Sequence, residues 1–278
     1  MTNNLKTSFY RPDIDGLRAL AVLSVVLFHF FPEALTGGYV GVDIFFVISG
    51  FLITRGIVQQ IQLGDFSFID FYSRRARRIF PSLIVILLFS LGVGTLVFFT
   101  DEYQSLGRHV FSGAFFISNL TLWYEIGYFD VLAEFKPLLH LWSLGIEEQF
   151  YILWPIFLLL ADKLKISLKP FTLALFVLSL TFCLFSLHSS HSFGFYNPLA
   201  RFWELLAGAY LGQLSLDRKK LVPDSWSQPL SYLSLSLLIL PLFLLDKKSA
   251  FPGLWALLPV LGAVTLIAAE NSRLNQSL

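Results

Sequence analysis

Apolar residues gather in nine runs, at 17–32, 39–61, 79–100, 108–124, 140–161, 168–187, 198–214, 228–245 and 252–269, divided by short polar separators. Most approach the ~20 residues that a helix needs to cross the hydrocarbon core of a bilayer. The pattern predicts an all-α fold: a polytopic membrane bundle of about eight or nine helices, filling residues 1–278 as one domain with no soluble domain. Composition points the same way. Only 14% of the residues are charged and 55% are hydrophobic, whereas a soluble domain carries about 25% charge. Membrane lipid is therefore the expected surrounding, and nothing suggests nucleic acid. The single cysteine, Cys183, lies in an apolar run and excludes an internal disulfide. The polar first ten residues and the absence of a small-residue cleavage motif argue against a cleaved signal peptide.

Charge in the separators predicts orientation, because lysine and arginine favour the cytoplasmic side. Lys6 and Arg11 place the N-terminus inside, and Arg74, Arg75, Arg77 and Arg78 place the second connection inside too. Lys163, Lys165 and Lys169 mark the connection after the fifth run as internal, as Arg218, Lys219 and Lys220 mark the one after the seventh. Strict alternation would put both outside. The simplest repair is that 108–124, short and carrying Ser112, Ser118, Asn119 and Thr121, is re-entrant or interfacial. Asp246-Lys247-Lys248 is then external, against the rule. No internal repeat is visible, which weakens an inverted-repeat transporter.

Ionisable residues inside membrane runs are functional candidates by default. Arg18 precedes His29 by eleven positions, which at about 100° per residue returns to within about 20° of the same face, about 16 Å along the axis. Histidine is the usual general base near neutral pH, and its depth in the run predicts exclusion of bulk water. The alternative is a snorkelling arginine and a structurally bonded histidine. Asp43 stands about one turn into the second run; it could orient the imidazole of His29, or simply complement the helix dipole. The dense cluster Arg74, Arg75, Arg77 and Arg78 reads as a positive-inside clamp, or as forks for the phosphates of a cytoplasmic co-substrate.

His140, Ser143, Glu147 and Tyr151 fall at i, i+3, i+7 and i+11, one polar stripe on an otherwise apolar helix. Glu148 points about 100° away from Glu147. Two adjacent carboxylates at this depth must face a polar cavity or each other, and a proton relay or an ion site could use them. Arg201 and Glu204, one turn apart, suit a structural ion pair. His188 and His191 lack a nearby third ligand, so no metal is expected. No Gly-x-Ser-x-Gly elbow and no Walker phosphate loop occurs.

Taken in order, Arg11-Pro-Asp-Ile-Asp15-Gly16-Leu-Arg18 with His29, Gly41-Val-Asp43 to Ser49-Gly50, the Arg74–Arg78 cluster, Leu141-Trp142-Ser143 to Glu147-Glu148-Gln149-Phe150-Tyr151, and Arg201-Phe-Trp-Glu204 resemble the acyltransferase-3 family. Its members are integral membrane enzymes that O-acylate bacterial surface carbohydrates such as lipopolysaccharide O-antigen or peptidoglycan. The resemblance implies an O-acyltransferase of the bacterial inner membrane, with acetyl-CoA or another acyl-CoA as cytoplasmic donor. It assigns donor binding to Arg18, Arg74, Arg75, Arg77 and Arg78, and catalysis to His29 with Asp43 or Glu147 holding the imidazole. Glu148, His140, Trp142 and Tyr151 would line the acceptor side, the two aromatic rings as stacking surfaces for a lipid-linked or surface glycan. Direct transfer and a covalent acyl-histidine both remain open. The family's final helices, with an aromatic, histidine-containing element, have no match here. A chain incomplete at its C-terminus, completed by a missing segment or a partner protein, is therefore expected. The rival readings are a proton-coupled transporter using the same buried groups, and an inactive remnant of the enzyme.

Overall fold

A computed structural model describes residues 11–125, 136–218, 220–246, 249, 251–270 and 272. Lys6, Lys219, Lys247 and Lys248 of the charge pattern lie outside the described residues. Eleven α-helices occur and no strand is found among the described residues: α1 (Pro12–Phe30), α2 (Gly41–Leu63), α3 (Phe68–Val97), α4 (Thr100–Ala114), α5 (Ser118–Glu125), α6 (Leu141–Lys163), α7 (Leu168–Ser189), α8 (His191–Tyr196), α9 (Pro198–Asp217), α10 (Asp224–Leu244) and α11 (Leu257–Ala268). The chain is an all-α, multi-pass membrane protein. Five helices, α2, α3, α6, α7 and α10, are long and apolar enough to cross a bilayer. The remaining runs fall short for visible reasons. α1 carries Asp13, Asp15 and Arg18, α9 carries Arg201, Glu204 and Asp217, and α11 has 12 residues.

The run 108–124 is not one helix. α4 stops at Ala114, Phe116 turns left-handed with φ 57°, and α5 begins at Ser118. Irregular backbone turned away from water survives only where protein groups satisfy it. Here the Gln149 side-chain amide donates to the Phe116 carbonyl at 2.8 Å and to Asn119 Oδ1 at 2.9 Å, while Asn119 Nδ2 donates to the Tyr196 carbonyl at 3.1 Å.

The chain divides into two compact units. One comprises residues 1–48, 217–249 and 255–278. Within it, a Cβ on Gly41 would lie 2.4 Å from the Ala21 carbonyl oxygen, so glycine is what lets the head of α2 press against α1. α10 and α11 run antiparallel, joined by a 2.7 Å hydrogen bond between Ser234 and Thr265 hydroxyls and by Ser227 Oγ donating to the Ala269 carbonyl at 3.1 Å. Arg11 binds Asp13, Glu270 at 2.7 Å and the Ile267 carbonyl at 2.8 Å, tying the head of α1 to the tail of α11.

The other unit comprises residues 49–216 and 250–254. Its side-chain contacts give the helix directions. Thr54 meets Trp154 (2.7 Å) and Ser49 meets Glu147 (3.1 Å), so α2 and α6 run parallel. Tyr72 bonds the Ile152 carbonyl (3.0 Å) while Arg75 meets Glu148 (3.4 Å), so α3 runs antiparallel to α6. Thr172 meets Gln213 and Ser179 meets the backbone of Leu199 and Trp203, so α7 and α9 are antiparallel. Arg55 with Ser215 (2.8 Å) and Gly50 against the Leu205 carbonyl together set α9 parallel to α2. The C-terminal ends of α2, α6 and α9 therefore point one way. Arg74, 3.5 Å from Gln60, and Lys163 sit at that end, and the chain leaves α9 there into Arg218. The end of α3 and the start of α6 share the opposite end.

Candidate active site

In the unit of residues 49–216, a polar cluster forms where α2, α3 and α6 meet. Glu147 Oε1 accepts from Ser49 Oγ at 3.1 Å, and Oε2 accepts from the Tyr151 hydroxyl, one turn on, at 3.2 Å. Glu148 takes the other direction around α6 and receives Arg75 Nη2 at 3.4 Å. The Arg75 guanidinium carbon also lies 3.9 Å from the centre of the Tyr151 ring, in cation–π geometry. One arginine thus serves two neighbouring carboxylates, Glu148 directly and Glu147 through the tyrosine. Buried carboxylates are tolerated on this condition, with opposite charge and donors supplied together.

The four clustered arginines separate. Arg74, Arg77 and Arg78 are exposed, while Arg75 is largely covered. Helix geometry explains the split, since positions 74, 77 and 78 span one arc of about 100° and position 75 lies beyond its edge. Arg77 and Arg78 make no hydrogen bond or ion pair among the described residues. Arg74 has one long contact, with Gln60.

The other unit holds Arg18, His29 and Asp43. Arg18 Nη1 pairs with Asp15 at 3.0 Å on a partly open surface. His29 lies in the last turn of α1 with Nδ1 2.8 Å from the Val25 carbonyl. A carbonyl only accepts, so Nδ1 is the donor in this contact and Nε2 is the ring nitrogen that points away from it. The enclosure expected for this histidine is not supplied by its own unit. Its side chain is exposed, beside the exposed Val26, Leu27, Phe30 and Phe31. Asp43 is fully buried in the first turn of α2. The imidazole is held by the backbone of its own helix, one of the two alternatives the sequence left open.

The two aromatic residues expected to stack on sugar present no open ring face. Trp142 packs against Phe195 (centroids 4.6 Å) and Tyr196 (5.8 Å), and Tyr151 lies under Arg75 with its hydroxyl on Glu147. His140 remains exposed at the head of α6. Arg201 and Glu204 do form the expected pair, at 3.0 Å with neither side chain exposed. The His188 side chain lies outside the described residues. Ser49, inside the glycine-rich block that ends at Gly50, holds Glu147 through its hydroxyl, a role its neighbours in the sequence do not signal. A third ionic group has no counterpart in the sequence pattern. Glu125 accepts from Lys136 Nζ at 2.9 Å and lies 3.1 Å from His109 Nε2. These residues share no helix period, so the sequence offered no signal for them.

A family model described as an acyltransferase domain matches residues 11–276. The chain belongs to the acyltransferase-3 family. Among the relatives of this acyltransferase-3 chain is a Staphylococcus aureus protein named "Putative O-acetyltransferase", 36% identical over 214 residues, covering 74% of this chain and 35% of that protein. A Bacillus subtilis protein named "Putative peptidoglycan O-acetyltransferase" is 34% identical over 260 residues, covering 87% and 40% respectively. An uncharacterized Haemophilus influenzae protein is 35% identical over 239 residues, covering 81% of this chain and 96% of its own length. The chain thus spans about a third of the length of the Staphylococcus relatives it matches. No solved structure matches it.

Proposed function

We propose that this chain is the membrane domain of an O-acyltransferase that carries an acyl group, acetyl above others, from cytoplasmic acyl-CoA to a hydroxyl of an extracytoplasmic carbohydrate of the cell envelope. Family membership is the observation that carries the reading, and two relatives are named as O-acetyltransferases, one of them for peptidoglycan. O-antigen is a second acceptor of the same chemistry. The protein would lie in the bacterial inner membrane with its N-terminus in the cytoplasm, as Arg11 and the shared end of the basic connections support.

The exposed Arg74, Arg77 and Arg78 offer guanidinium forks whose geometry fits the phosphates of coenzyme A, and Arg18 would stand at the inner mouth. Arg75, grouped with them by sequence, faces carboxylates instead. The acceptor hydroxyl would give its proton to Nε2 of His29 while its oxygen attacks the thioester carbonyl. The ester C–O bond forms, the C–S bond breaks, and the imidazolium returns the proton to the departing thiolate. The Val25 carbonyl, holding Nδ1–H, keeps the ring in the tautomer this needs. A base so placed contributes typically 10²–10⁴-fold. Asp43 would support His29 within its own unit, Glu147 and Glu148 would set the charge of the acceptor side, His140 would meet the acceptor, and Trp142 and Tyr151 would act by fixing Arg201 and Glu147.

Membranes containing the full-length protein, supplied with labelled acetyl-CoA, are expected to place label in envelope glycan as base-labile ester, and membranes lacking it are not. Uptake of a solute with no ester formed would overturn this reading in favour of a transporter.

A further inference from the structure

The four arginines of the 74–78 cluster look equivalent in the sequence and are not equivalent in the fold. Arg75 alone has its head among acidic and aromatic partners: Glu148 at 3.4 Å and the Tyr151 ring at 3.9 Å, with Tyr151 in turn bonded to Glu147. Its Nε is buried and has no hydrogen-bond partner among the described residues. The same stretch of α3 is fixed against α6 by Tyr72 on the Ile152 carbonyl, one turn before Arg75. A guanidinium already committed to a buried carboxylate is poorly placed to bind phosphate. It would have to leave Glu148 and Glu147 without a counter-charge, which is costly away from water.

We infer that Arg75 is a positioning residue for the carboxylate pair Glu147–Glu148, and that phosphate docking falls to Arg74, Arg77 and Arg78. This rests on the acyl-transfer reading for its second half only. In that reading Arg75 holds Glu148 directly and holds Glu147 through Tyr151. The acceptor side therefore keeps a fixed arrangement whether or not donor is bound.

The test uses the purified full-length protein in detergent or nanodiscs and reads thermal stability, coenzyme A binding and turnover. Arg75→Gln should lower the melting temperature, and Glu148→Gln added to it should restore much of the loss, because removing both partners removes the uncompensated charge. The Arg77→Gln/Arg78→Gln pair should weaken coenzyme A binding about tenfold or more, as loss of charge-assisted bonds to phosphate does, while Arg75→Gln changes it less than about twofold. In turnover, Arg75→Gln should lower kcat with little change in the KM for donor, and Arg75→Lys, which keeps the charge, should recover part of kcat. Additive stability effects of Arg75→Gln and Glu148→Gln, or a loss of coenzyme A affinity in Arg75→Gln equal to that of the Arg77/Arg78 variant, would overturn the inference. If the unaltered protein takes no coenzyme A, the donor reading fails by itself. The stability cycle then still decides the pairing, with coupling upholding it and additivity refuting it.

Discussion

Two arginine–glutamate pairs in the same unit are built in opposite ways. Arg201 and Glu204 share one helix, approach to 3.0 Å, and are wholly buried, with Trp142, Phe195 and Phe251 rings 5.5–5.7 Å from the guanidinium. Arg75 and Glu148 come from different helices, approach only to 3.4 Å, and leave 17% and 10% of their side chains open. A sealed pair holds a bundle together and has no room to change partners. A pair between helices instead fixes one helix against another, as Arg75 of α3 holds the carboxylates of α6. Burial and helix of origin, rather than charge, separate the two pairs.

The sharpest way to break this comparison is to remove one arginine from each pair. Arg201→Gln removes the guanidinium that Glu204 meets at 3.0 Å and should cost about 3–5 kcal/mol, enough to reduce folded yield severely. Arg75→Gln should cost less, about 1–3 kcal/mol, because Glu148 keeps some access to solvent. Unfolding in detergent monitored by circular dichroism checks the order, and equal losses would erase the distinction. Next in size is Gly50→Ala. A Cβ there would lie 1.8 Å from the Leu205 carbonyl oxygen, so α2 and α9 must part around the sealed pair, at about 1–3 kcal/mol. A variant as stable as the parent would show that α9 is not held this closely.

The smallest effect concerns the third ionic group, His109 with Glu125 and Lys136, on helices outside the five long apolar ones. Burial is the main reason His109 sits below the ordinary histidine range, outweighing Glu125, which pulls upward. The folded state therefore resists a proton that the unfolded chain accepts near pH 6.5. Stability from this group is complete above about pH 6.5 and is lost as pH falls below it. Melting temperatures between pH 7 and pH 5 should fall more steeply for the parent than for His109→Gln, and parallel curves would remove His109 from the account.

Much of this was legible in the sequence because it depends on local period. Glu147 and Tyr151, four apart on an apolar helix, were expected on one stripe and are hydrogen-bonded to each other. Arg201 and Glu204, three apart, were expected to pair and do. The polar residues of 108–124 marked a stretch unlike its neighbours, and that stretch breaks at Phe116. What depends on a distant segment was not legible. Arg75 differs from Arg74, Arg77 and Arg78 only because α3 lies against α6 with Tyr72 on Ile152. Trp142 looked like a sugar platform because its covering rings, Phe195 and Tyr196, lie some fifty residues on. His29 bonds the Val25 carbonyl of its own helix, the local alternative that its position four residues on from a backbone acceptor left open.

The most direct test of the central claim is the turnover of the His29→Gln protein, full length and in membranes, with acetyl-CoA as donor and glycan ester read by mass spectrometry. Loss of the Nε2 base should lower kcat by about 10²–10⁴-fold while coenzyme A binding persists. Turnover kept within about twofold of the parent would mean that the hydroxyl proton goes elsewhere, and the role given to His29 would be wrong.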